Sequence, residues 1–173
     1  MRSDDVTHLL GHLYFVRDRI LDAARAAPDA LANSDAPTIR GLHATLVHEL
    51  DVEWSWRERL DSDHPTSFDE AAEELTVDDL PTMDALAGRW AEDEAAMRDW
   101  IARLGDAGLA GSCRAEDPPR HPMWFHIAHL YSHAIQQFAD AATLLTAAGQ
   151  SPGELDFLDF VEVRLDGRAE GGS

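Results

Sequence analysis

The chain has no lysine. Its 14 basic residues are all arginine, and 33 acidic residues bring the formal charge to −19. A surface so short of cations cannot concentrate phosphate, which excludes nucleic acid and anionic membrane surfaces as partners. Cysteine is almost missing as well. Cys113 stands alone, so an internal disulfide and a Cys-rich zinc module are both excluded. No apolar run approaches the ~20 residues needed to cross a bilayer. The opening Met1-Arg2-Ser3-Asp4-Asp5 lacks the basic start and apolar core of a signal peptide, so a cytoplasmic location is expected. A Gly-rich phosphate loop, a nucleophile elbow and an HExxH helix are also absent. Glu-x-x-His, the pair used by ferritin-like di-iron bundles, occurs nowhere.

What is present is a globular composition, 45% hydrophobic over 173 residues, enough for one domain and its core. One domain over residues 1–165 is expected, followed by a flexible tail over 166–173. Val6, Leu9, Leu10, Leu13, Val16, Ile20 and Leu21 recur at helical spacing and predict a helix from Asp4 to Ala27. Thr38 is a plausible N-cap for a second helix reaching Leu60, with Ile39, Leu42, Leu46, Leu50, Trp54 and Leu60 on its buried side. A third follows Pro81, with Gly105 as its C-cap. The fourth spans Met123 to Ala148. Ser67-Phe68-Asp69-Glu70 and Ser151-Pro152-Gly153-Glu154 have the form of capping boxes, the second opening a short helix from Leu155 to Phe160. Four long amphipathic helices predict an all-α four-helix bundle with a short extra C-terminal helix. The 17-residue connection before the last long helix argues against plain up-down-up-down order.

The chemistry is concentrated on the fourth helix. His126, His129, His133, Gln137 and Asp140 fall within an arc of roughly 80° at 100° per residue. Ile127, Tyr131, Ala134, Phe138, Ala141 and Leu145 occupy the opposite arc as a core stripe. Histidines four apart on one face lie one turn apart and can share an ion, and neutral imidazole suits Zn, Ni, Cu or Fe. His129 and His133 are such a pair. A further ligand must come from another helix, and His48 on the second is the best placed. His8 and His12 repeat the spacing without companions. His43 reads as a packed histidine, while His64 and His121 sit beside prolines in loops. Cys113, in a loop of Gly-Ser-Cys-Arg, reads as incidental.

Three stretches resemble the DinB-like (damage-inducible) superfamily, which includes bacillithiol and mycothiol S-transferase-like proteins. His48-Glu49-Leu50-Asp51-Val52-Glu53-Trp54-Ser55-Trp56 is similar to its second-helix pattern, a His with Glu at +5 and Trp at +8. Trp124 through His133 is similar to the fourth-helix segment, and Leu144 through Asp156 to the closing Gly turn and Leu-Asp. The resemblance implies a bundle, often a homodimer, holding a divalent metal, Zn or Ni, on three histidines. The first carries over to His48. Counted back from Gly149, the other two fall on His133 and Gln137; alternatively His129 stands in from one turn earlier. The implied activity is transfer or isomerisation of a small electrophile, with a low-molecular-weight thiol as cosubstrate. The competing expectation is a non-enzymatic bundle that binds a small ligand or partner and has a degraded metal site.

Overall fold

The computed structural model describes residues 1–28, 38, 40–61, 75–113 and 120–165. Four long helices make up the bundle: α1 (Ser3–Arg25), α2 (Leu42–Asp61), α3 (Met83–Ala110) and α4 (Met123–Ala147). A short α5 (Phe157–Phe160) and a π-helical turn (Val161–Leu165) follow. The all-α bundle read from the sequence is what the chain forms. No helix among the described residues is long and apolar enough to cross a membrane.

The order of helices follows from which ends meet. Ser3 at the start of α1 hydrogen-bonds Asp106 near the end of α3, and Arg25 at the end of α1 pairs with Asp84 at the start of α3. These two helices are antiparallel. On α2 and α3 the pairs Glu53–Trp90, Arg57–Asp93 and Asp61–Arg103 advance together, so those helices are parallel. Glu49 meets His133 while Trp56 meets His129 and His126, so α2 and α4 are antiparallel. The order is up-down-down-up. Round the bundle the packed neighbours run α1, α4, α2, α3 and back to α1.

Each helix turns an apolar stripe inward, as its spacing requires. Leu13 and Ile20 of α1, Leu46 and Leu50 of α2, Leu86 and Trp90 of α3, and Phe138 and Leu145 of α4 are all buried. Thr82 caps α3 by accepting a hydrogen bond from the Ala85 amide. Thr82→Ala is expected to lower stability by about 1 kcal/mol in urea unfolding.

Several boundaries differ from the sequence reading. The second helix begins at Leu42, because the Thr38 hydroxyl is engaged with the Arg40 carbonyl. Gly105 (φ 55°) breaks α3 as a stop should, yet helical turns resume beyond it as far as Ala110. Ser151-Pro152-Gly153-Glu154 is not a capping box. Gly153 sits at φ 79°, which breaks any helix there, and Asp156 caps α5 instead by accepting from the Leu158 and Asp159 amides. Cys113 is fully buried rather than on an open loop. It is pinned where its amide donates to the His121 carbonyl, next to a bridge between Ser112 and Pro122. The capping box expected at Ser67–Glu70 and the tail over 166–173 lie outside the described residues.

Candidate metal centre

The antiparallel contact between α2 and α4 brings His48 and His133 together. Their rings meet edge to face, with centroids 5.5 Å apart. Behind them lies a feature the spacing rules did not single out: Glu49, only 1% exposed. Its Oε2 is 2.7 Å from Nδ1 of His133. A metal-ligating imidazole commonly has its second nitrogen held by a carboxylate, which fixes the ring and raises its basicity. Here that support is in place, and Nε2 is the nitrogen of His133 left for a ligand. The donor set therefore suits a divalent transition metal.

Burial acts against charge on both groups. Burial, with the neighbouring Glu53 charge, pushes the Glu49 carboxyl well above the usual range. Burial, then His48, His129 and Arg40, pushes the His133 imidazole down. With the imidazole proton on Nδ1, the contact to Glu49 leaves Nε2 as the donor nitrogen. A low imidazole pKa leaves the ring unprotonated near neutral pH, the form that binds metals.

The remaining predicted ligands are less settled. His129 is exposed, its ring 6.3 Å from that of His133 and 5.2 Å from the Trp56 indole. Gln137 is half-buried one turn after His133 on the same face of α4. Among the described residues no three His, Cys, Asp or Glu side chains form a ligand group. The histidines thus supply a pair, and completing the set needs either the Gln137 amide or a rotation of His129 away from Trp56.

His12 and His43 are tied into the fold by hydrogen bonds to backbone carbonyls. His12 is buried, with Nε2 donating to the Leu155 carbonyl and Nδ1 accepting from the Tyr131 hydroxyl. Both nitrogens are spent in tying α1 to α4 and to the segment before α5, among Phe15, Phe157 and Phe160. His43 donates to the Leu80 carbonyl. His121 stacks on Phe125. His126 lies near Trp56 at 6.1 Å. His64 lies outside the described residues.

Deeper in the bundle is a polar layer that the sequence did not announce as such. Glu53 is 2% exposed and accepts hydrogen bonds from the Tyr14 hydroxyl and the Trp90 indole. Arg57 and Asp93 form a buried ion pair. Arg17 binds Glu94 and Asp18 with its guanidinium 4.7 Å from the Tyr14 ring. The signal for this layer was periodic: Glu49, Glu53 and Arg57 repeat every four residues beside the Leu42, Leu46, Leu50 row.

No family model and no curated protein matches the chain.

Proposed function

We propose that the chain is a divalent-metal protein whose ion is held by His48 and His133, with Gln137 or His129 as the third donor. Its activity would be thiol-dependent transfer or isomerisation of a small electrophile. One observation carries the metal reading: the buried Glu49 carboxyl takes up Nδ1 of His133, on a ring 5.5 Å from that of His48. The thiol chemistry rests on the family resemblance at residues 48–56, 124–133 and 144–156. Bound there, a divalent ion with an open position would stabilise a thiolate at neutral pH. The chain's own part would be to present two imidazoles, hold a proton at Nδ1 of His133, and keep Glu49 out of water. Trp56 borders the His129 side of the pair and offers an apolar surface to the substrate.

Metal analysis of untagged protein tests this. About one equivalent of Zn or Ni per chain is expected, falling to background in His48→Ala and in His133→Ala. Glu49→Gln is expected to weaken binding about 10–100-fold. Of Gln137→Ala and His129→Ala, only the variant that removes the true third ligand loses affinity to a similar degree. The lack of a third converging His, Cys, Asp or Glu among the described residues favours one alternative, a non-enzymatic ligand-binding bundle. Folded wild-type protein that takes up no metal from millimolar Zn or Ni would establish that reading instead.

A further inference from the structure

The polar layer at Glu53 has no part in holding a metal, and its geometry is specific. Glu53 stands on α2, Tyr14 on α1 and Trp90 on α3, so one carboxyl joins three helices. The tie between α1 and α2 matters because those helices lie across the bundle diagonal and are not packed neighbours.

The charges around Glu53 do not balance an ionised carboxylate. From α3 Asp93 acts on it, paired with Arg57, and Glu94 acts on its partner Tyr14, paired with Arg17. On its own helix Glu49 lies one turn away, its carboxyl engaged with His133 of α4. The Arg17 charge of α1 acts on Glu53, yet its hydrogen bonds go to Asp18 and Glu94. Among the described residues no cation forms an ion pair with Glu53. A protonated carboxyl fits the same partners: its carbonyl oxygen accepts from Trp90 and its hydroxyl donates to the Tyr14 oxygen.

We infer that Glu53 is a proton-operated tie in the bundle core. Protonated, it joins α1, α2 and α3 as a neutral group; ionised, it leaves an uncompensated charge at that junction and loosens it. The inference stands whether or not the chain binds metal.

Burial is the main force on this carboxyl. It lifts the pKa from 4.5 to about 7, against the lowering effect of the Tyr14 and Trp90 hydrogen bonds. The folded chain therefore keeps a proton that the unfolded chain has already lost between those two values. Stability is fully present below the lower one and falls as pH rises toward the upper. Full ionisation corresponds to about a 300-fold rise in the unfolding equilibrium constant.

Two measurements on the full chain test this. The Trp90 indole N–H resonance of the wild-type protein, followed by NMR, should inflect between about pH 6 and pH 8. Tyr14→Phe removes one donor from the carboxylate and should move that inflection to higher pH. Glu53→Gln reproduces the donor and acceptor pattern of the protonated acid, and its unfolding constant should lack the rise seen in the wild type over the same range. An inflection below about pH 5, one that Tyr14→Phe leaves in place, or parallel stability profiles for wild type and Glu53→Gln would overturn the inference. Should Glu53→Gln not fold, the indole titrations of wild type and Tyr14→Phe decide alone.

Discussion

Arg57→Met should lower the stability of the bundle by about 3–5 kcal/mol, because it strands a buried anion. Arg57 donates to Asp93 through Nε at 3.1 Å and through a terminal nitrogen. The Asp93 side chain is 1% exposed against 10% for Arg57, and Asp93 Oδ2 has no hydrogen-bond partner among the described residues. The carboxyl is already pushed up by burial, and the Arg57 charge and hydrogen bonds are what oppose that push. Without them it rises further. The folded form of the variant then holds the proton to higher pH than the unfolded chain does, so its stability falls as pH rises. Urea unfolding at acidic and at mildly alkaline pH checks this: the loss relative to wild type should be larger at the alkaline end. Replacing both partners, Arg57→Met with Asp93→Leu, should recover most of it, since two apolar groups leave no charge behind. An equal loss at both pH values would sink the account.

Trp90→Ala is expected to cost a comparable amount, about 3–5 kcal/mol, by a different route. The indole is 0% exposed and lies 5.8 Å from the Phe138 ring, between α3 and α4. Alanine leaves a cavity there and takes a donor from Glu53, which the indole N–H reaches at 2.8 Å. Trp90→Phe separates the two effects. It retains most of the ring packing and loses only the donor, so its cost should be about 1–3 kcal/mol. Denaturant midpoints for the two variants, compared at one pH, give the split. Single domains hold only about 5–15 kcal/mol in total, so the alanine variant sits close to unfolding. A Trp90→Phe loss as large as that of Trp90→Ala would mean that the hydrogen bond, and not the packing, dominates.

The helices were legible because burial imposes a period. Ile127, Tyr131, Ala134, Phe138, Ala141 and Leu145 were assigned to the core face of the fourth helix, and all but the half-buried Tyr131 are buried. The histidine stripe opposite them was legible for the same reason, and His48 does come beside His133. What periodicity could not convey is depth. Glu49 and Glu53 were read as parts of a motif, because a carboxylate on a helix is normally solvated. Only the packing of α2 against both α3 and α4 shows that this row points inward, where Tyr14, Trp90 and His133 supply the partners. The ends of helices were missed where a local hydrogen bond won over the usual cap: the Thr38 hydroxyl turned to Arg40, and Asp156 displaced Ser151. The proposed third ligand stayed open for a related reason. Spacing puts His129 and Gln137 at equal distances from His133 along the helix, and rotamers decide between them.

The up-down-down-up order has a consequence for how the chain assembles. Successive long helices share the least contact: α1 and α2 lie on a diagonal, α2 and α3 run parallel, and α3 meets α4 across the core, as Trp90 does Phe138. The most extensive packing of this polypeptide is thus not found within a hairpin of successive helices. Its most extensive contacts join segments far apart in sequence, such as α2 to α4, and the entropy of closing those large loops opposes forming them. Acquisition of the native state should accordingly be slower than in a meandering bundle of the same length and stability.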